Sequence, residues 1–433
     1  MLEIHTNHGS DTVQAYFYLM TTLISNIKLL VNTREECHLL RGKQLSQLPC
    51  IEDAFLIIED DRIAEYGAMN EVKFRVADFS SHIDAKGKMV LPSWCDSHTH
   101  LVFAGSRENE FVDKIKGLSY TEIAAKGGGI LNSAKKLNAS SEDELYKQSY
   151  KRLQELIELG TGAVEIKSGY GLNVESEIKM LRVIQRLKRN SKIPVKATFL
   201  GAHAIPEDYK ENRQGYIDLI INEMLPTIAS ENLADYIDVF CEEGFYSPQE
   251  TEMICNAGKA IGLKPKIHAN QLAVSKGVET AVKLNAVSAD HLESMDDDAI
   301  NALSNSTTIG TLLPSAAFFL RMPYQPARKL IDSNCAIALA SDFNPGSSPS
   351  GNMNFVVSLA CIQMKMLPEE AINAATINGA YAMELQNQVG SITLGKKANL
   401  IITKEIPSLA YLPYSFATNL IDKIMVNGEW VEQ

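Results

Sequence analysis

The chain is expected to fold as an α/β protein, a (β/α)8 TIM barrel with a small β-sandwich-like domain formed by its N- and C-terminal segments. Three observations point there. Its 433 residues are too many for one ordinary core and suit a barrel with a smaller companion. Through the middle of the chain, eight short apolar strand candidates alternate with helical segments, the pattern of parallel strands buried on both faces. At each end, β-rich runs follow one another without intervening helices.

Residues 1–19 carry no periodicity and are read as a disordered extension or an upstream start choice, outside the fold. The composite β domain is expected over 20–90 and 390–433. Leu23 to about Val31 and Phe55 to Tyr66 are β-rich, with turn chemistry at Glu59-Asp60-Asp61. At the far end, Ser391 to Thr403 carries Gly395 and the apolar run Leu400-Ile401-Ile402, and Ile424-Met425-Val426 meets Asn427-Gly428, a hairpin signal. The two ends are therefore expected to share one sheet.

The barrel is expected over 91–389. Its strands end near His98-Thr99-His100, Glu165-Ile166-Lys167, Phe199 to His203, Asp238-Val239-Phe240, Lys266-Ile267-His268, Ala289-Asp290-His291, Gly310 to Leu313 and Ala340-Ser341-Asp342. Eight in succession favour a closed barrel over an open sheet. Glu144 to Leu159 and Glu177 to Leu187 place leucines and isoleucines at helical spacing, with Gly160 and Ser191 to Pro194 as stops.

The formal net charge is −12, with basic residues spread thinly, which argues against a nucleic-acid stripe or a polybasic membrane patch. A small molecule is the expected partner. Seven cysteines stand at irregular spacing with no C-x-x-C, which fits a reducing cytoplasm. The apolar run Ala15 to Ile24 lacks a basic flank and is too short to span a bilayer, so neither secretion nor membrane insertion is expected.

Of nine histidines, His5, His8, His38 and His82 precede the barrel. The other five, His98, His100, His203, His268 and His291, all fall at expected C-terminal strand ends, where barrel active sites assemble. His98 and His100, two apart on a strand, put both imidazoles on one face about 7 Å apart along the backbone. With His268 and Asp342 they supply three imidazoles and a carboxylate, a donor set for one metal ion: zinc foremost, with iron or manganese also compatible. The segment 236–242 offers no lysine to bridge a second ion. By itself Asp342 also reads as a loop cap before Asn344-Pro345-Gly346. His203 and His291 are left for substrate or water. A bound metal acidifies water, and Asp342 and His291 are the candidates to move its proton to a leaving nitrogen. Arg107 is either a fork for a substrate carboxylate or an ordinary surface arginine.

Two runs carry a resemblance. His98-Thr99-His100-Leu101-Val102-Phe103-Ala104-Gly105 followed by Arg107, and Glu165-Ile166-Lys167-Ser168-Gly169-Tyr170-Gly171-Leu172, closely resemble the imidazolonepropionase family of the amidohydrolase superfamily. The likeness continues through Phe199 to His203, Asp238 to Glu242, Ser288 to Glu293 and Ser341 to Gly346, covering the chain from about residue 20. It implies hydrolysis of 4-imidazolone-5-propanoate to N-formimidoyl-L-glutamate in histidine degradation, with His98, His100, His268 and Asp342 as metal ligands. It further implies that Arg107, Tyr170 and His203 contact the substrate, with Asn344, Gly346 and Ser347 beside the metal aspartate. Similar enzymes are often dimers, so a homodimer is expected.

The chain departs from that pattern at two places. Ser347 stands where threonine is usual, and keeps the hydroxyl. Asn270-Gln271 stands where an acidic residue is common; neither side chain takes up a proton at neutral pH, although Gln271 can hydrogen-bond an imidazolone ring. General-base duty thereby moves to His291 or Asp342. A superfamily deaminase shares the metal set but generally needs a glutamate near the third metal histidine, which Asn270-Gln271 disfavours. A catalytically dead scaffold would be expected to lack a ligand, and none is missing.

Overall fold

The computed structural model describes residues 20–118, 122 and 128–432; the expected extension over 1–19 lies outside them. Two eight-stranded sheets organise these residues. The first takes β1 (Thr21–Val31), β2 (Cys50–Glu59), β3 (Arg62–Ala68), β4 (Ser81–Asp84) and β5 (Met89–Pro92) from one end of the chain. The second is built of β6 (Trp94–Thr99), β7 (Thr161–Lys167), β8 (Val195–Ala202), β9 (Tyr236–Cys241), β10 (Lys264–Ala269), β11 (Ser288–His291), β12 (Ile309–Leu312) and β13 (Ile337–Leu339). From the other end β14 (Leu400–Thr403), β15 (Ile421–Val426) and β16 (Glu429–Trp430) return to the first sheet.

The first sheet runs in the order β16-β15-β14-β5-β1-β2-β3, with β4 also on β1. β14 lies antiparallel to β5, pairing Ile401 with Leu91, which is where the two ends of the chain meet. A bulge between Ile24 and Ile27, with Asn26 at φ 53°, lets β1 pair with β4 and then with β5 along the same edge. The Asn427-Gly428 hairpin forms as expected: both residues have positive φ and join β15 to β16. The stretch Phe55 to Tyr66 resolves into two strands that turn at Asp60, whose φ is 51°.

β6 to β13 pair parallel in strict sequence order. The ring closes through a parallel bridge between Thr99 and Phe343, with Asp342 N donating to His98 O at 3.0 Å and His100 N to Phe343 O at 2.9 Å. This joint lies just beyond β13, so the segment carrying Asp342 is itself the seam of the barrel. The outer helices follow the expected spacing. Glu142–Glu158 is capped by Ser141, whose hydroxyl accepts from Glu144 N, and buries Leu145, Leu153, Leu156 and Ile157; Val174–Asn190 is capped by Asn173 and buries Ile178, Leu181, Ile184 and Leu187. Among the described residues no helix is long and apolar enough to cross a membrane.

Candidate active site

Parallel strands alternate their side chains between the barrel interior and the helices, and in this barrel several inward positions carry charge. Glu165, Lys167, Asp238, Lys266 and Asp290 are all fully buried. Lys167 Nζ donates to Glu165 Oε1 at 2.6 Å and to Asp238 Oδ2 at 2.8 Å, and lies 3.4 Å from Asp290 Oδ2. Lys266 Nζ pairs with Glu165 Oε2 and donates to the carbonyls of Ser97 and Ala382. Burial disfavours the Lys167 ammonium, but Asp238, Glu165 and Asp290 outweigh it and hold the group above its ordinary range.

The histidines stand on this charged floor. His98 Nδ1 meets Asp290 Oδ2 at 2.7 Å, and His268 Nδ1 meets Asp238 Oδ2 at 3.0 Å. Each carboxylate fixes one ring nitrogen and turns the other toward the barrel mouth. There His98 Nε2 and His100 Nε2 each lie 3.6 Å from Asp342 Oδ1, and His268 Nε2 lies 3.4 Å from His100 Nε2. Burial, and then the neighbouring charges, pull His98, His100 and His268 well below the usual imidazole range, so the rings are neutral and offer lone pairs. Burial also raises Asp342 to about 6. His98 Nε2 is buried without a hydrogen-bond partner, an arrangement that would be costly unless something electrophilic occupies the centre. Ligand atoms of His98, His100 and Asp342 lie within 4.8 Å of one another, as do those of His98, His268 and His291, a geometry that could hold a metal ion.

The other expected residues surround this centre. His203 stacks on His100 with ring centroids 5.4 Å apart and an interplanar angle of 17°. Its Nδ1 faces Gly169 O at 3.1 Å, and burial lowers its pKa to about 4. Tyr170 packs against both rings, at 5.9 Å from His100 and 5.6 Å from His203. His291 approaches His98 and His268 at 5.6 and 5.2 Å. Burial opposes its protonation, yet the carboxylate of Glu293 keeps it above the ordinary imidazole value.

After the seam, the Asn344 side chain accepts from Gly346 N and Ser347 N, both at 2.8 Å, and donates to Asp342 O and Ser347 Oγ. Ser347 Oγ donates in turn to Asp342 Oδ2 at 3.2 Å. Asn344 thus shapes the loop that presents Asp342. A Cβ on Gly346 would collide with Arg107 Nη1, so the guanidinium lies directly over this glycine. Arg107 is no ordinary surface residue: its Nε and Nη2 both donate to Glu110 Oε2, at 2.8 and 2.6 Å. Beside it opens a cavity of about 550 Å³ lined by Phe103, Phe111, Arg152, Phe343 and Pro345 among others. Gln271 is half-buried, while Asn270 is committed to Ser294 O, Ser275 and Gly277 N.

A ring of neutral imidazoles and one carboxylate that could hold a metal ion, at the C-terminal mouth of a (β/α)8 barrel, is the arrangement of a hydrolase of the amidohydrolase kind. The profile described as the amidohydrolase family matches residues 89–431, and the chain belongs to that family. Within it, the chain is 57% identical over 413 residues to the imidazolonepropionase of Christiangramia forsetii, covering 95% of this chain and 100% of the relative. It is 59% identical over 411 residues to the imidazolonepropionase of Flavobacterium johnsoniae, again covering 95% and 100%. Among solved structures, E. coli guanine deaminase superposes with a TM-score of 0.72 at 13% identity, covering 96% of this chain and 100% of that one. An adenosine deaminase from Xanthomonas campestris with bound zinc gives 0.66 at 14%, covering 95% and 92%. At such identities these two show the fold alone.

Proposed function

We propose that the chain hydrolyses 4-imidazolone-5-propanoate to N-formimidoyl-L-glutamate, a step of histidine degradation, around one metal ion held by His98, His100, His268 and Asp342. The observation that carries this reading is the orphaned His98 Nε2 facing Asp342 inside a chain similar along nearly its whole length to imidazolonepropionases. Three imidazole nitrogens and a carboxylate suit zinc first and iron next. When bound, such an ion acidifies water and polarises the carbonyl of the ring.

The chain's own residues supply the rest. Asp290 and Asp238 hold His98 and His268 with Nε2 inward. His291 and Asp342 accept the proton of the attacking water and return it to the ring nitrogen as the carbon–nitrogen bond breaks. Gln271 hydrogen-bonds the imidazolone without taking a proton. Arg107, anchored on Glu110, presents the Nη1 edge beside Gly346 to the propanoate. Tyr170 and His203 wall the ring, and Asn344 and Ser347 hold the loop beside it.

The test is loss of the ultraviolet absorbance of 4-imidazolone-5-propanoate by protein of known metal content. About one metal per chain and metal-dependent turnover are expected. Metal-loaded protein that leaves this compound untouched while deaminating an aminated heterocycle would favour the superfamily deaminases instead.

Two variants sharpen it. Arg107→Ala removes a charge-assisted contact and is expected to raise KM about ten- to a hundredfold with kcat little changed; an unaltered KM would remove Arg107 from the substrate. Asp290→Asn leaves His98 in place but weakens its orientation, and metal affinity is expected to fall about ten- to a hundredfold in competition with a chelator. Equal affinity in the two proteins would show that the carboxylate has no part in holding the ligand.

A further inference from the structure

His291 has a partner that no reading of the strand ends brings forward. Glu293 Oε1 lies 3.5 Å from His291 Nδ1. The same oxygen accepts from Gln325 Nε2 at 2.9 Å. The side chains of His291 and Glu293 are only 4% and 1% exposed, and Gln325 is buried on the segment between the helices Pro314–Leu320 and Ala327–Asp332. His291 Nδ1, Glu293 Oε2 and Gln325 Oε1 are all buried without a hydrogen-bond partner. Three such atoms in one row are uncommon, since buried polar groups are normally satisfied. No lysine or arginine pairs with Glu293 among the described residues. Among the described residues, the groups paired with it are the Gln325 amide and the imidazole.

The backbone points the same way. His291 and Leu292 both adopt positive φ, 88° and 67°, a conformation that non-glycine residues rarely take and that clusters at functional sites. Leu292 N donates to Ala269 O at 3.1 Å and Ser294 N to Asn270 O at 2.8 Å, which pins the kink on both sides. The kink sends His291 toward His98 and His268 and brings Glu293 back alongside it.

We propose that Glu293, anchored by Gln325, is a positioning residue that holds His291 as the Nδ1–H tautomer and leaves Nε2 free for proton transfer in the site. The inference rests on the reading of His291 as a proton-transfer group. A carboxylate on one imidazole nitrogen fixes ring orientation and tautomer and stabilises the imidazolium that forms in the reaction. The demand is greater in this chain because Gln271 has no capacity to accept a proton.

Glu293→Gln keeps the shape and removes the charge. Its kcat is expected to fall about ten- to a hundredfold with KM within about twofold and metal content unchanged, part of the full range that general acid–base groups contribute. In the His291→Ala background the same substitution is expected to change kcat less than about twofold, because the two side chains act as one unit. Nitrogen-15 spectra of the imidazoles should show His291 fixed as the Nδ1–H tautomer in the wild type and mixed in Glu293→Gln. Gln325→Leu, which leaves both partners in place, should show a smaller loss in the same direction.

An equal loss of kcat in both backgrounds, an unchanged kcat in Glu293→Gln, or an unaltered tautomer would overturn the role of Glu293. Full turnover in the His291→Ala variant would instead overturn the underlying assignment of His291.

Discussion

Replacing Lys266 with methionine is expected to cost about 3–5 kcal/mol of stability, the usual consequence of removing one partner from a buried charge network. Lys266 is the cation that joins Glu165 to the carbonyls of Ser97 on β6 and Ala382 at the barrel floor. Without it Glu165 keeps Lys167 and the Thr198 hydroxyl, each at 2.6 Å, but one ammonium then faces three buried carboxylates, those of Glu165, Asp238 and Asp290. Methionine fills similar volume, so packing alone would produce a much smaller change. Urea denaturation of the metal-free protein reads the effect without interference from metal binding; a midpoint unmoved from wild type would mean that the floor charges are neutralised some other way. Lys266→Arg is not a conservative control, since the forked guanidinium has no room among fully buried neighbours.

The largest functional effect is expected from His268→Ala. Its imidazole is held from below by Asp238 and meets His100 across the centre at 3.4 Å. Loss of the proposed direct ligand should exceed the roughly hundredfold that loss of a supporting carboxylate costs, so the purified variant should carry less than about a tenth of a metal per chain and show no measurable turnover. The fold should survive, because His268 N still donates to Asp238 Oδ1 at 3.1 Å through the backbone. Elemental analysis and the absorbance assay together decide it. A variant that retains one metal per chain and turns over would place the ion elsewhere.

The barrel is legible because its strands are buried on both faces and read as short apolar runs, five of the eight ending in histidine or aspartate. The same closure hid the floor. In Lys264–Ala269 the sequence Lys-Pro-Lys-Ile-His-Ala alternates, and nothing in it says that Lys266 points into a dry interior while Lys264 lies at the surface, as the structure has them. Only the register, with Lys266 beside Asp238 and His268 beside Asp290, reveals the pairing. The Glu165-Ile166-Lys167 run stood out by resemblance, yet its two charges serve the floor rather than the mouth. The pairing of Glu293 with His291 is not legible in the sequence, because it depends on two positive φ angles that histidine and leucine do not advertise. For Asn344, the residue types do not convey that its amide is already engaged in the 342–347 loop.

The seating of β14 against β5 has a consequence for how the protein is made. β5 is complete by residue 92, while its neighbour on that side begins at residue 400. At about 5–20 residues per second, a ribosome needs roughly 15 to 60 s to cover that distance. For all of that time the nascent chain presents an unpaired hydrophobic edge, Met89-Val90-Leu91, of the kind that recruits foreign strands. Synthesis of the barrel is therefore a race between its own last strands and any other β-edge nearby, and a shielding chaperone should raise soluble yield more than any change at the catalytic mouth.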